Sequence, residues 1–335
     1  MSQLPAVQIL GLNKSYGNKR VLENLDLTVP AGTVLSLLGP NGAGKTTVVE
    51  ILQGLRRRGG GTVSVLGEDP GHASRTWRAR IGVVSQTSAD FKDLTVTEAV
   101  SHIARFFARP ADIAETIDRV GLSDDARTRA SRLSGGRRRR LDVALAIIGR
   151  PELLFLDEPT TGLDPLSRRE LWEMVEELRG QGVAILLTTQ YLDEAERLSD
   201  DIVVLREGRK VSQGSPSELR RRFGAPICRI ALDDATLARR VAESVLPGAL
   251  GHPHDDFTVD ALEVSFVAHG GTEDLVSATR AITSAGLEVV SVSLTPPSLD
   301  DVFLGTAFAS DAGSADSAGS ADSADSVESA EENGS

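Results

Sequence analysis

One run of nine residues constrains this chain more than any other feature: Gly39-Pro40-Asn41-Gly42-Ala43-Gly44-Lys45-Thr46-Thr47. It fits the pattern G-x-x-x-x-G-K-[ST] at Gly39, Gly44, Lys45 and Thr46. Just upstream, Thr33-Val34-Leu35-Ser36-Leu37-Leu38 reads as a buried strand, and just downstream Thr47-Val48-Val49-Glu50-Ile51-Leu52 reads as a helix. A glycine-rich turn can match such a pattern by chance, but the strand–loop–helix setting is what the motif needs. The glycines let the backbone curl so that its N–H groups point inward. The helix N-terminus adds partial positive charge, and together they form an anion cradle. In such a cradle Lys45 reaches the β- and γ-phosphates of a nucleotide, and the Thr46 hydroxyl ligates Mg²⁺.

The rest of the first 220 residues alternates strands with helices, which indicates an α/β domain with a mainly parallel sheet. Val7–Leu10 and Val21–Val29 alternate in hydrophobicity as strands. Strands are also expected at Thr62–Leu66, Ile81–Ser85, Leu153–Leu156 and Val183–Thr188, with a hairpin at Ile202–Leu205 and Lys210–Ser212. Thr95-Val96-Thr97-Glu98 is a capping box ahead of a helix expected over Glu98–Phe107. Further helices are expected over Ala111–Val120, Leu141–Ile148, Pro165–Arg179 and Tyr191–Leu198. The phosphate-loop domain is placed at 5–220, with a helical part at about 88–149. A smaller α+β domain is expected over 227–305. Its order is strand Ile227–Leu232, helix Asp234–Val245, strands Phe257–Val259 and Leu262–Val267, helix Thr272–Ala285 and strand Leu287–Leu294. That order suggests a split β-α-β, ferredoxin-like sandwich. A short helix is expected after Pro296-Pro297 with Ser298 as its N-cap. From Ala309 to Ser335 the chain is Ser/Ala/Asp/Gly repetition without apolar periodicity, and it reads as a disordered acidic tail.

Composition matters at three points. The net charge of −12 argues against bulk nucleic-acid binding, and residues 306–335 alone hold seven acidic and no basic residues. The single cysteine, Cys228, excludes an internal disulfide framework and sits in an apolar run as a buried structural thiol. No apolar run is long enough to span a bilayer, and Met1-Ser2-Gln3-Leu4-Pro5 does not open a signal peptide, so a cytosolic compartment is expected. His252 and His254 flank Pro253 in a loop-like stretch and read as surface residues rather than metal ligands.

Leu153-Leu154-Phe155-Leu156-Asp157-Glu158 places two carboxylates at the carboxyl end of a buried strand. In open α/β sheets that is where ligands bind. Two such acids can also cap a helix, but beside a phosphate loop Asp157 is suited to hold Mg²⁺, directly or through water. Glu158 is suited to polarise an attacking water. Tyr16, a short way upstream, can stack on a purine ring or serve as a half-buried strand aromatic.

Leu133-Ser134-Gly135-Gly136, lying between the phosphate loop and the acidic strand, resembles the signature motif of ATP-binding-cassette transporter subunits. Phosphate loops are common to many families, whereas this motif in this place is specific. The resemblance implies a cassette ATPase fold, ATP and Mg²⁺ as ligands, and two copies facing head to tail. Ser134, Gly135 and Gly136 then contact the γ-phosphate held by the opposite copy, a task suited to a Gly-rich helix N-terminus. It implies that Gln86 touches Mg²⁺ and the attacking water and senses a membrane partner. Gly162-Leu163-Asp164 matches the segment crossing the dimer interface, with Asp164 near the nucleotide, and Tyr16 matches the adenine-stacking position. Pro297–Leu304 and Thr188-Thr189-Gln190-Tyr191-Leu192-Asp193-Glu194-Ala195 resemble the daunorubicin/doxorubicin type of drug-resistance exporter, which works with a separate ABC-2 type permease. The implied place is cytoplasmic, peripheral on the inner face of the membrane through that permease.

Two positions depart from the family pattern. Arg137 stands where the signature has glutamine, and Gln190 stands where the switch residue is histidine. Glutamine donates and accepts hydrogen bonds but carries no proton, so hydrolysis leans on Glu158. The run Arg137–Arg140 suggests a nucleic-acid patch or, in this context, the solvated first turn of the signature helix. The rival functions are a non-transport cassette ATPase acting on ribosomes or DNA, and an ATP-binding switch with weak hydrolysis.

Overall fold

The computed structural model describes residues 4–87, 91–223, 226–253 and 256–295. The helix expected from Ser298, the Pro297–Leu304 ending, the tail from Ala309 and His254 lie outside them. The chain divides into two units, residues 1–222 and 223–335.

In chain order the first unit contains β1 (Val7–Tyr16), β2 (Lys19–Val29), β3 (Val34–Leu38), α1 (Lys45–Leu52), β4 (Gly60–Val65), α2 (Arg75–Arg78) and β5 (Ile81–Val84). Then come α3 (Val96–Ala104), α4 (Ile113–Arg119), α5 (Gly135–Ile147), β6 (Leu153–Asp157), α6 (Pro165–Gly180) and β7 (Ala184–Thr189). It closes with α7 (Leu192–Leu198), β8 (Asp201–Arg206), β9 (Arg209–Gly214) and α8 (Pro216–Phe223).

Strands β3, β6 and β7 are buried at every residue. This is why they read as unbroken apolar runs: both of their faces are covered. They belong to a six-stranded sheet of order β5-β6-β7-β3-β8-β9, parallel except where β9 runs antiparallel to β8. A separate three-stranded antiparallel sheet has the order β2-β1-β4. Register places the site. Leu38 pairs with Thr189, and Asp157 pairs with Thr188, so β3 and β6 end on either side of the end of β7. The phosphate loop, the two acids and Gln190 therefore leave the sheet at one edge.

The helical region differs from expectation at its boundaries, each for a local reason. Thr95 and Glu98 do form the capping box, and a capping-box glutamate is the third helical residue, so α3 begins at Val96 rather than Glu98. Helix α4 begins at Ile113 because Asp112 caps it, its side chain accepting from Glu115 N at 2.9 Å. Helix α5 begins at Gly135, six residues before the expected Leu141, with Ser134 as its N-cap. Arginine is a good helix former, but the arginine run hides the helix from a search for apolar periodicity.

The second unit contains β10 (Ile227–Ala231), α9 (Ala235–Arg240), a π-helical turn over Val241–Val245, α10 (Leu246–Leu250), β11 (Phe257–Asp260), β12 (Glu263–Val267), α11 (Thr272–Ser284) and β13 (Ser291–Thr295). Its sheet has the order β11-β12-β10-β13, every pair antiparallel. That is the ferredoxin-like arrangement expected from the strand and helix order. The first helical stretch does not end at Val245 but runs on through the π-helical turn into α10, whose first turn accommodates Pro247, and the last strand starts at Ser291 instead of Leu287. Cys228 is fully buried among Ile230, Val264, Phe266 and Ile282. His252 is half-buried rather than fully exposed: its side chain is 18% exposed, and its ring lies 6.3 Å from Phe257 and 5.9 Å from His269. Among the described residues no helix is long and apolar enough to cross a membrane.

Candidate nucleotide-binding site

The loop between β3 and α1 is held from several sides. Gly39 N donates to Thr189 O at 3.4 Å, Ala43 N to Pro40 O at 3.2 Å, and Gly208 N to Ala43 O at 3.1 Å. Two glycines are required by space and backbone. A Cβ on Gly39 would sit 2.3 Å from the Leu205 carbonyl oxygen, and Gly44 has φ +106 with Leu22 Cδ2 only 2.8 Å from its Cβ position. The Lys45 side chain is buried against the loop itself. Its Nζ donates to Gly39 O at 2.8 Å and Pro40 O at 3.3 Å, and it pairs with Glu158 Oε1 at 3.3 Å.

Glu158 is the centre of a small network. Its backbone is left-handed, with φ +45, and its N–H donates to Thr188 O at 3.1 Å and Thr188 Oγ1 at 3.0 Å. Its carboxylate meets Lys45 on one oxygen. The other accepts from Gln86 Nε2 at 3.3 Å and from Thr161 Oγ1 at 3.4 Å. Asp157 is buried and accepts from the Thr188 hydroxyl. Burial pushes its carboxyl above the ordinary aspartate value and the neighbouring Glu158 adds to this, while Thr188, Lys45 and the Thr46 hydroxyl hold it down.

These groups line or adjoin one cleft of about 790 Å³. Of the residues expected from sequence, Tyr16, Asn41, Gly42, Gly44, Lys45, Thr46, Thr47, Gln86, Glu158 and Gln190 face it. Gly39, Pro40 and Ala43 form the loop behind, and Asp157 lies beneath Thr46. Tyr16 is 40% exposed at the end of β1, with Lys14 Nζ 4.9 Å and Arg56 Cζ 5.4 Å from its ring centre. Lys19, Arg20, Thr161 and Glu207 also line the cleft and were not expected there. A basic pair three and four residues beyond Tyr16 was the available signal for the first two.

Ser134, Gly135, Gly136 and Asp164 do not line this cleft. Ser134 is exposed at the start of α5, its Oγ accepting from Arg137 N at 3.4 Å. Gly136 packs so closely on α6 that a Cβ would sit 2.2 Å from Ser167 Oγ. Asp164 caps α6, accepting from Leu166 N and Ser167 N at 3.0 Å and from Ser167 Oγ at 2.7 Å. Those bonds hold its carboxyl below the usual range. The signature turn and Asp164 thus share Ser167 as a neighbour, away from the chain's own phosphate loop.

The arginine run corrects the sequence reading. Arg137 is exposed, as expected of a solvated first turn, but Arg139 is buried. Its guanidinium donates to the carbonyls of Ser85, Asp157, Glu158 and Pro159. Glu194 was not singled out either; it is fully buried and accepts from Trp172 Nε1 at 3.1 Å.

The Thr46 hydroxyl and the Asp157 carboxylate it bonds to are hard oxygens, and Gln86, which carries an amide oxygen, lines the same cleft. Such a set fits Mg²⁺, which prefers oxygen ligands and commonly binds through one or two carboxylates plus substrate phosphates.

Comparison with known proteins agrees with this geometry. A family model described as "ABC transporter" matches residues 22–161, and one described as "ATP-binding protein DrrA1-3-like, C-terminal domain" matches residues 214–307. The chain is 42% identical over 307 residues to the daunorubicin/doxorubicin resistance ATP-binding protein DrrA of Streptomyces peucetius, covering 89% of this chain and 91% of that one. It is 42% identical to the Nod factor export ATP-binding protein I of Ralstonia nicotianae, over 72% of this chain and 79% of that one. A solved structure of an ATP-binding subunit of an ABC transporter superposes with a TM-score of 0.59 at 28% identity, covering 65% of this chain and 93% of that one.

Proposed function

Because the chain belongs to the ATP-binding-cassette transporter family, we propose that it is the ATP-hydrolysing subunit of an exporter that acts through a separate ABC-2 type membrane permease. The family's ATP-binding subunits bind and hydrolyse ATP. The observation that carries the reading for this chain is the meeting of Lys45, Gln86 and Glu158 in one cleft at the end of β7.

The roles we assign follow from that meeting. Gly39, Pro40, Asn41, Gly42, Ala43, Gly44, Thr46 and Thr47 wrap the phosphates, with backbone N–H groups and the start of α1 supplying positive potential. Lys45 exchanges its carbonyl and carboxylate partners for the β- and γ-phosphates. Tyr16, at the end of β1 on the rim of the cleft, stacks on the base. Glu158 takes the proton of the attacking water, and Gln86 and Gln190 orient that water by hydrogen bonds. Mg²⁺ would be held by Thr46, Asp157 and Gln86, and it supplies charge neutralisation at the phosphate oxygens. Catalysis is then mainly positioning and charge stabilisation.

The site is half complete in one copy. Ser134–Gly136 and Asp164 lie together but outside the cleft, which supports a head-to-tail homodimer in which they face the partner's γ-phosphate. We assign residues 5–220 to the ATP-binding domain, with 88–149 as its helical part. Residues 227–305 form an accessory domain with a regulatory or dimer-stabilising role. The helical part and Gln86 form the docking surface for the permease, which places the protein on the cytoplasmic face of the membrane. Drug efflux is the cargo class we propose, supported by relatives named for daunorubicin/doxorubicin resistance and for Nod factor export; lipid or polysaccharide efflux is the other reading.

The test is affinity purification of the full-length chain from detergent-solubilised membranes of its native cell in the presence of ATP. Recovery of a polytopic membrane protein in stoichiometric amount is expected. Recovery of ribosomes or DNA without such a protein would overturn the transport reading.

A further inference from the structure

The buried guanidinium of Arg139 spans two segments that each carry a functional side chain. Its Nε donates to Pro159 O at 2.8 Å, and its Nη2 to Asp157 O at 3.1 Å and Glu158 O at 3.3 Å. Its Nη1 donates to Ser85 O, the carbonyl immediately before Gln86. Asp142, one turn further along α5, sits 3.8 Å from the same Nη1 and steadies the charge. Burial works against the charged form, and Asp142, Asp157 and Glu194 favour it.

Three of these four acceptors are consecutive carbonyls, and they converge because Glu158 is left-handed. A non-glycine residue adopts that conformation at a cost, so something must hold it there. Arginine's planar fork can serve several acceptors at once, which a lysine ammonium does in a different geometry. The fourth acceptor belongs to another loop, reached across the end of the sheet.

We infer that Arg139 is a positioning residue that fixes Glu158 and Gln86 relative to one another by tying both backbones to α5. The inference rests on the roles proposed above for Glu158 and Gln86. The two carboxylate-to-amide partners are held 3.3 Å apart not only by their own bond but by the backbone carbonyls that Arg139 gathers. The same helix opens with Ser134–Gly136, so the guanidinium also fixes this copy's acid to its own signature turn.

The test uses the full-length chain with Arg139→Met, Arg139→Lys and Glu158→Gln. In hydrogen–deuterium exchange, Arg139→Met is expected to speed exchange at residues 85–87 and 157–161 together, with the interior amides of α5 unchanged. In ATPase assays its kcat is expected to fall at least tenfold with KM for ATP within twofold, and Arg139→Lys to recover part of that loss. Faster exchange throughout α5 would mark a merely structural arginine and overturn the inference. So would unchanged exchange at the two segments, or a raised KM with kcat intact. If Arg139→Met does not fold, Arg139→Lys is read by the same criteria. Glu158→Gln separates the two levels: wild-type turnover there refutes the assigned acid, while the exchange pattern still decides whether Arg139 is the clamp.

Discussion

Replacing Glu158 by glutamine tests the site where its geometry is most explicit. The carboxylate sits 3.3 Å from Lys45 Nζ, and the two side chains are only 9% and 5% exposed. At an effective dielectric constant of about 20, unit charges at that distance attract by about 5 kcal/mol before desolvation is counted. Most of that gross attraction is offset by the cost of taking both charges out of water. Lys45 must leave Glu158 to reach a phosphate, so the carboxylate competes with the nucleotide for the same ammonium and also repels it. The glutamine variant removes both effects while keeping the acceptor for Thr161 and Gln86. A net change of about 1 kcal/mol would tighten ATP binding about fivefold. Loss of the general base should cut turnover by about 10²–10⁴. Phosphate release under single-turnover conditions measures the second effect, and titration with a fluorescent ATP analogue measures the first. Phosphate release within threefold of wild type would refute the assignment of the base. ATP affinity weakened several-fold would refute the competition for Lys45.

Two further predictions concern groups away from the nucleotide. Burial holds the Glu194 carboxyl above its ordinary value of 4.5. A carboxyl raised in the folded state contributes its stability fully below the unfolded value and loses it as pH rises towards the folded one. Glu194→Gln removes that loss, so its Tm should gain on wild type as pH rises above the ordinary glutamate value, and a difference that stays constant as pH rises would contradict the assignment. The Cys228 thiol is pushed up to about 11, chiefly by burial. In the folded chain it should resist an aromatic disulfide reagent, with labelling tracking denaturant unfolding of the second unit; stoichiometric labelling of native protein within minutes would contradict this.

What the sequence disclosed was what is contiguous along the chain. Val34–Thr47 and Leu153–Glu158 each join a buried strand to the residues that follow it in one run, and both strands stand where expected. The ferredoxin-like unit was legible for a similar reason. Its strands cover one face only, so Ile227-Cys228-Arg229-Ile230-Ala231 alternates between half-buried and buried residues. Boundaries were less legible because caps decide them. With Ser134 as its cap, α5 starts at Gly135, six residues before the first apolar position that periodicity could use. The lining residues Lys19, Arg20 and Glu207 were missed because they reach the cleft from β2 and from the turn between β8 and β9, not from the loop that defines it.

Arg139 shows a different kind of limit. Four adjacent arginines look alike in a sequence, and a charge run is ordinarily a solvated face. What distinguishes the third is a set of acceptors from two other segments: Ser85, and the bend from Asp157 to Pro159. Backbone carbonyls buried at the end of a sheet must find donors, since leaving them unpaired costs about as much as a lost hydrogen bond. Here the left-handed turn at Glu158 brings its own carbonyl and those of its two neighbours together, beyond what a neighbouring strand can satisfy. A guanidinium delivered one helical turn inside α5 meets that demand, and Arg137, at the mouth of the same helix, cannot. The demand belongs to the acid's backbone conformation, so the same bend that aims Glu158 at Lys45 also selects which arginine is buried.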